Sequence, residues 1–196
     1  DLAQEQASIA HSQPRINNPT DRAIMLYRTP LRTQYPKADI HLKIVGDGPL
    51  LASLKKLAGN DSNIEFLGFV SDKQRNKLYA ESRAFIFAAE EDSGIVPIEA
   101  MAYGKPVIAY GRGGASETVI DRKTGLLFQP QTADSLALAI HEFNDMAFDS
   151  KAIADHAKHF SVERFREEML EFITKTIVDW QKEKGLEWVR PGTAKK

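Results

Sequence analysis

Phe87-Ala88-Ala89-Glu90-Glu91-Asp92-Ser93-Gly94-Ile95-Val96-Pro97-Ile98-Glu99-Ala100-Met101-Ala102-Tyr103-Gly104 is the stretch whose reading decides the fold. The apolar run Ala84 to Ala89 reads as a buried strand. Acids, a Ser-Gly pair and an amphipathic segment from Ile95 follow it, the layout of a strand, a functional loop and a helix. Ser93 is of the type that caps a helix. Pro97 falls in the first turn, where its missing N–H would have had no intrahelical partner, and Gly104 suits the end. A helix that starts where a parallel strand ends aims its free N–H groups, here near Gly94, Ile95 and Val96, at a cradle for a phosphate or sugar hydroxyl. Glu91 stands at the entrance of the loop. Glu99 stands about one turn into the helix, where a carboxylate can accept hydrogen bonds from a diol such as ribose. Neither acid has an evident structural role in the sequence.

Working outward, His41 to Val45 alternates and closes on Gly46-Asp47-Gly48-Pro49, a parallel strand delivering its chain to a glycine turn, with a helix from Leu50 to Ala58. Taken alone, Gly-Asp-Gly-Pro reads equally as a tight turn before a proline-started helix. Asn63 to Leu67 is the next strand, ending at Gly68-Phe69-Val70, and Ser71 caps a helix from Asp72 to about Ser82. Main-chain groups at Gly68 to Val70 can pair with a nucleobase edge while Phe69 or Val70 packs on its face, or the segment is simply a strand end in the core. Lys105 to Tyr110 is a strand running into Gly111-Arg112-Gly113-Gly114-Ala115-Ser116-Glu117, whose glycines permit close backbone approach to a ligand. Gly125 to Phe128 is a last short strand. Thr132 to Asp134 starts a helix carrying Leu136, Leu138, Ala139, Ile140 and Phe143, and the rest is helical. There Ser161-Val162-Glu163-Arg164 fits the capping-box start of a helix whose Phe165, Met169, Phe172, Ile173, Ile177 and Trp180 recur at helical spacing, a packing face.

Strands alternating with helices, with glycine turns at several strand ends, give an α/β domain: a Rossmann-like parallel sheet with helices on both faces and its ligand at the carboxyl edge. The chain of 196 residues is 42% hydrophobic, enough for a real core. Its 26 basic and 27 acidic residues leave a net charge of −1, which argues against a strongly basic nucleic-acid surface. There is no cysteine, so disulfides and thiolate chemistry are excluded. No apolar run approaches a membrane span, and the polar first residues do not resemble a signal peptide. His156 and His159 share a helical spacing without acids or cysteines in ligand positions and read as surface histidines, so no metal site is expected.

Residues Gly46-Asp47-Gly48-Pro49, Gly68-Phe69-Val70, the pair Glu91 and Glu99 with Gly94, Pro97 and Ala100 to Ala102 between and beyond them, Gly104 to Ile108, Gly113 to Glu117 and Thr124 to Phe128 form a composite covering roughly residues 40 to 130. It resembles the retaining glycosyltransferases of family 4. The resemblance implies a GT-B architecture, two Rossmann-like domains facing across a cleft, with this chain as the C-terminal, donor-binding one. It implies that Glu91 contacts the transferred sugar near the reaction centre and Glu99 the donor ribose. Main-chain N–H groups at Gly94, Ile95 and Val96 would hold sugar or diphosphate oxygens, Gly68, Phe69 and Val70 would line the base, and Gly46 and Gly48 would lie on the same edge.

By the same resemblance the donor is a nucleotide sugar, GDP-mannose or a UDP-sugar, used without a metal or a covalently bound cofactor. The acceptor is a glycan or a lipid-linked sugar, as in polysaccharide biosynthesis, held through an absent N-terminal domain. A cytoplasmic enzyme with peripheral membrane association is implied. The variant Glu-Asp-Ser-Gly-Ile-Val-Pro-Ile-Glu favours mannose. Two departures stand out. Ser93 occupies a position where the family often has an aromatic residue. The opening strand with its diphosphate-binding arginine and lysine is not found: Arg28 is followed by Pro30, and too few residues separate it from His41 for a turn and a crossover helix. The first strand is therefore expected to be missing. Residues 1–20 read as a weakly ordered or truncated start, 21–160 as the nucleotide-sugar-binding domain, and 161–196 as a C-terminal helix and tail. Asp21 to Gln34 reads as a helix, with Ala23 to Tyr27 as a short strand the alternative. A non-catalytic nucleotide-binding or interaction module of the same fold is the competing reading. A dehydrogenase is disfavoured because no Gly-x-Gly-x-x-Gly follows a first strand.

Overall fold

The computed structural model describes residues 40–185. The expectations for residues 1–20, for Asp21 to Gln34 and for the tail Pro191 to Lys196 lie outside the described residues. Within them strands and helices alternate: β1 (Leu42–Val45), α1 (Leu51–Ala58), β2 (Ile64–Gly68), α2 (Asp72–Glu81), β3 (Phe85–Phe87), α3 (Ile95–Ala102), β4 (Val107–Tyr110), α4 (Ala115–Thr118), β5 (Gly125–Phe128), α5 (Ala133–Asn144) and α6 (Ser150–Ala157). A 3₁₀ turn, Lys158–Phe160, then leads into α7 (Val162–Lys184).

All pairings are parallel, and they form two sheets, β1-β2 and β3-β4-β5. A doubly wound sheet runs 3-2-1-4-5-6, so leaving out strand 1 divides it into a pair and a triplet. The described strands divide in that way, and the expectation of a missing first strand falls on residues outside them. β1 and β3 each keep one edge without a strand partner there.

Side-chain alternation along β3-β4-β5 sorts the core onto its two faces. Phe87, Val107 and Ala109 point to one side, where they pack with Ala100 and Met101 of α3, Ala115 of α4, and Ile153 and Ala157 of α6. Ile108, Tyr110, Leu126 and Phe128 point to the other, against Leu136, Ala139 and Phe143 of α5. Helices thus cover both faces, as the sequence predicts. β1 has the plain alternation of a one-sided strand, with Leu42 and Ile44 buried and Lys43 and Val45 exposed, and Leu54 of α1 is buried as well.

Several sequence expectations need correction. β3 is only three residues long, because Ala84, Ala88 and Ala89 flank it half-buried without joining the ladder. His156 is not a surface residue: its Nε2 lies 2.8 Å from the carbonyl of Thr118, tying α6 to the end of α4. Ser161 accepts one bond from Arg164 N–H, but position three holds an arginine, so no reciprocal capping box forms. Among the described residues nothing covers the apolar stripe of α7. Val162, Phe165, Met169, Leu170, Phe172, Ile173, Ile177 and Trp180 are all exposed, and α7 has no buried residue.

β4, the central strand of the triplet, comes so close to β5 that a Cβ on Gly125 would stand 1.9 Å from the carbonyl oxygen of Val107. Both atoms belong to ladder backbone and cannot step aside. Gly125→Ala is expected to cost about 1–3 kcal/mol or more by overpacking. The check is thermal unfolding, where the midpoint should fall by several degrees, about 2–4 °C per kcal/mol for a domain of this size.

Candidate functional site

The strands of both sheets end on loops that gather the glycines. Gly46, at φ +120°, follows β1, and its N–H donates to the carbonyl of Gly68 at the end of β2, 2.8 Å away. Gly68 sits at φ +63°, a conformation glycine adopts without steric cost. The N–H of Gly48 is taken by Asp47 Oδ1 at 2.8 Å, so Asp47 closes this turn on itself. Phe69 follows with 88% of its surface exposed, an open aromatic face beside Val70. Ser71 then starts α2 with a full capping box, its hydroxyl accepting from Gln74 N–H while Gln74 Oε1 accepts from Ser71 N–H at 3.0 Å.

After β3 the chain runs through Glu91, half-buried, and the exposed Asp92 and Ser93 to Gly94. The predicted cap is not made. Gly94 at φ 59° and ψ 54° is the N-cap of α3, with no side-chain cap bond. Gly94 thus opens α3 in a left-handed turn, and the N–H groups of Ile95 and Val96 have no intrahelical acceptor by the geometry of a helix start. Ile95 is exposed and Val96 half-buried at this mouth. Gly104 at φ +69° ends α3 as expected.

The loop after β4 supports this turn from beneath. Gly114 N–H donates to the carbonyl of Glu91 at 2.8 Å. A Cβ on Gly113 would stand 2.4 Å from Glu91 carbonyl oxygen, and one on Gly114 would stand 2.6 Å from both the carbonyl carbon and oxygen of Ser93. The sequence pointed these glycines at a ligand. In the structure their bare faces are filled by the Glu91–Ser93 backbone, so they serve the loop first. Gln131 adds a brace from beyond β5, its Nε2 donating to the carbonyl of Ala88 at 2.7 Å.

Glu99 lies on the second turn of α3 and has partners the sequence did not indicate. Tyr79 Oη donates to its Oε2 at 3.1 Å, and Arg75 Nε lies 3.6 Å from the same oxygen. Arg75 and Tyr79 both come from α2, twenty residues or more away in sequence, so no local spacing signals the contact. Tyr79 is buried and packs edge-on to Phe85 with ring centroids 5.8 Å apart. The structure therefore brings Gly46 and Gly68 together, and brings Glu91, Gly94 and the Gly113-Gly114 turn together. α2 links the two groups, running from Val70 to Glu99. Among the described residues no group of three or more His, Cys, Asp or Glu is placed to hold a metal ion, and no helix is long and apolar enough to cross a membrane.

The arrangement resembles known proteins in sequence and in fold. Residues 26–160 match the family described as glycosyl transferases group 1. The chain is 38% identical over 112 residues to a GDP-mannose-dependent alpha-(1-6)-phosphatidylinositol monomannoside mannosyltransferase of Mycobacterium tuberculosis, covering 52% of this chain and 29% of that protein. A glycosyltransferase from Rickettsia africae superposes with a TM-score of 0.65 at 25% identity, over 90% of this chain and 52% of that one. Anabaena Alr3699/HepE, solved in complex with UDP and glucose, superposes with a TM-score of 0.54 at 27% identity, over 67% of this chain and 39% of its own. The chain thus spans 29% of the curated relative and about half or less of the solved ones.

Gly114→Ala is expected to push the Glu91–Ser93 segment off its support and break the bond to Glu91, at a cost of about 1–3 kcal/mol. Amide NMR should show the signals of Glu91 to Val96 displaced along with a lower unfolding midpoint. Unmoved amides there would mean that the contact does not shape the loop.

Proposed function

Because this chain belongs to the group 1 glycosyl transferases, we propose that residues 21–160 bind the donor of a retaining glycosyltransferase, with 161–196 as its C-terminal helix and tail. The observation that carries the proposal is the left-handed turn at Gly94, packed on Gly113 and Gly114, which starts α3 without a side-chain cap, with Glu91 ahead of the turn and Glu99 on the helix after it. The donor is a nucleotide sugar. Mannose from GDP-mannose is favoured by the likeness to a GDP-mannose-dependent relative, and a UDP-sugar is the alternative favoured by the likeness to a UDP-bound structure.

In this reading the diphosphate lies against the N–H groups of Ile95 and Val96, where the positive end of the α3 dipole favours an anion. Glu99 accepts from the ribose diol with its carboxylate. Gly68 to Val70 line the base, and the exposed ring of Phe69 offers a stacking face. Glu91 faces the transferred sugar. The bond from the anomeric carbon to the diphosphate oxygen breaks while a bond from that carbon to the acceptor hydroxyl oxygen forms on the same face. The hydroxyl proton passes to the departing diphosphate. The chain's residues supply position and charge stabilisation and no nucleophile. The acceptor, a glycan or lipid-linked sugar, is held by a domain outside this chain, and transfer requires both.

Calorimetric titration without added metal, with GDP, UDP, ADP and their sugar conjugates, is expected to give saturable binding to one nucleotide. Glu99→Ala should weaken it about tenfold or more, the scale of hydrogen bonds to a charged group. Glu91→Ala should leave the affinity for the free nucleoside diphosphate unchanged, because that ligand carries no sugar for Glu91 to meet, and should lower transfer in a protein that also contains the acceptor domain. Equal nucleotide affinity in wild type and Glu99→Ala would contradict the assignment.

A further inference from the structure

Glu99 does not stand alone in its site. Oε2 accepts from Tyr79 Oη at 3.1 Å and lies 3.6 Å from Arg75 Nε. Oε1 accepts no hydrogen bond among the described residues. Arg75 is itself held from its other side, with Nη1 3.0 Å from Asp72 Oδ1 one turn earlier on α2. Its Nε is buried with no hydrogen-bond partner, since 3.6 Å to Glu99 is an ion-pair distance and too long for a hydrogen bond. A buried donor left unpaired carries a desolvation cost that a small approach of Glu99 would relieve. Neither side chain of the pair is deep, at 39% and 38% exposure, so the contact by itself adds little to stability.

We propose that Arg75 is a positioning residue for the donor ribose: with Tyr79 it holds Oε2 of Glu99 in place and leaves Oε1 turned to the 2′- and 3′-hydroxyls. This rests on the reading of Glu99 given above and adds to it a residue from a different helix. A glutamate side chain has three rotatable bonds, and a free one would spend part of the ribose interaction on being ordered. A hydrogen bond from Tyr79 and the charge of Arg75, both on a single oxygen, restrict that freedom in advance. Arg75 suits this because its planar guanidinium carries several N–H groups, so that Nη1 pairs with Asp72 while Nε faces Glu99. The chain Asp72–Arg75–Glu99 also joins the helix that begins at the Gly68–Val70 segment to the acid on α3. Base-lining and ribose-binding residues are thereby held in one frame. Aspartate or glutamate on a ribose is recognisable in a sequence, but the cation behind it is not, because it arrives from another element.

The test measures ribose discrimination. The nucleoside diphosphate that binds tightest among GDP, UDP and ADP is titrated against its 2′,3′-dideoxy counterpart, into wild type, Arg75→Met, Arg75→Gln, Arg75→Lys and Glu99→Gln. Circular dichroism and thermal unfolding report that each is folded, and Arg75→Gln, which keeps a polar side chain of similar reach, serves if Arg75→Met does not fold. Wild type should prefer the ribose form by about tenfold or more. Arg75→Met and Arg75→Gln should lose most of that preference while binding the dideoxy form as wild type does, with Arg75→Lys in between because it restores charge without the planar fork. Undiminished preference in Arg75→Met or Arg75→Gln overturns the inference. So does equal weakening of both ligands, which is what a merely structural role would give. A wild type that shows no preference for ribose, or a Glu99→Gln that keeps it, overturns the placement of ribose on Glu99 instead, and the inference with it.

Discussion

The site depends on a contact between two stretches of main chain. Gly113 and Gly114, after β4, lie directly under the carbonyls of Glu91 and Ser93, after β3, at distances that leave no room for a Cβ on either glycine. The Gly114 N–H to Glu91 carbonyl bond locks the pair. Gly114 packs against the left-handed turn at Gly94, the N-cap from which α3 starts. Glycine here is a requirement of internal packing before it is an allowance for a ligand. A helix start does not need a hydroxyl cap if the loop beneath it is held by backbone alone, and Ser93 is accordingly exposed and unused as a cap.

The second constraint is the sheet. Its described strands fall into a pair and a triplet, with β1 and β3 each offering an edge that no described strand occupies. The triplet is well built, with distinct apolar clusters on its two faces. α2 is the element that spans the division. It leaves the carboxyl edge of β2, buries Tyr79 in the triplet's core and brings Arg75 to Glu99. What looks like an ordinary connecting helix thus holds the two halves of the candidate site in register. The long α7 is the opposite case, with an apolar stripe that nothing among the described residues covers. A near-balanced set of charges on its other face keeps it from reading as a basic, membrane-seeking helix.

Much of this was legible in the sequence, and the reasons for success and failure are physical. β5 matches its sequence reading residue for residue because Gly125 and the turn after Phe128 mark both ends. Ser71 is the cap it reads as, since it precedes a helix with a free N–H at the third position, and α5 starts at Thr132 to Asp134 as read. β3 came out shorter because alanine signals neither strand nor loop, and an apolar run cannot fix its own ends. Ser93 misled because capping chemistry was judged locally while the deciding contact comes from a loop some twenty residues on. The same distance hid Arg75 and Tyr79 behind Glu99, and hid the carbonyl of Thr118 that draws in His156. Periodicity found the α7 stripe correctly, yet amphipathicity says only that a face is apolar and not that this chain supplies its cover.

The central claim is that a nucleotide sugar lies along the carboxyl edge, from the Gly68–Val70 segment to the start of α3. Amide NMR of the isotope-labelled chain, titrated with GDP, GDP-mannose and UDP-glucose, tests it most directly. The account predicts saturable shifts confined to Gly46 to Gly48, Gly68 to Val70, Glu91 to Glu99 and Gly111 to Gly114, with Glu91 and its neighbours responding to the sugar conjugate more than to the free diphosphate. Shifts centred on α6 or α7, or none at saturating ligand in a chain with a dispersed, folded spectrum, would contradict it.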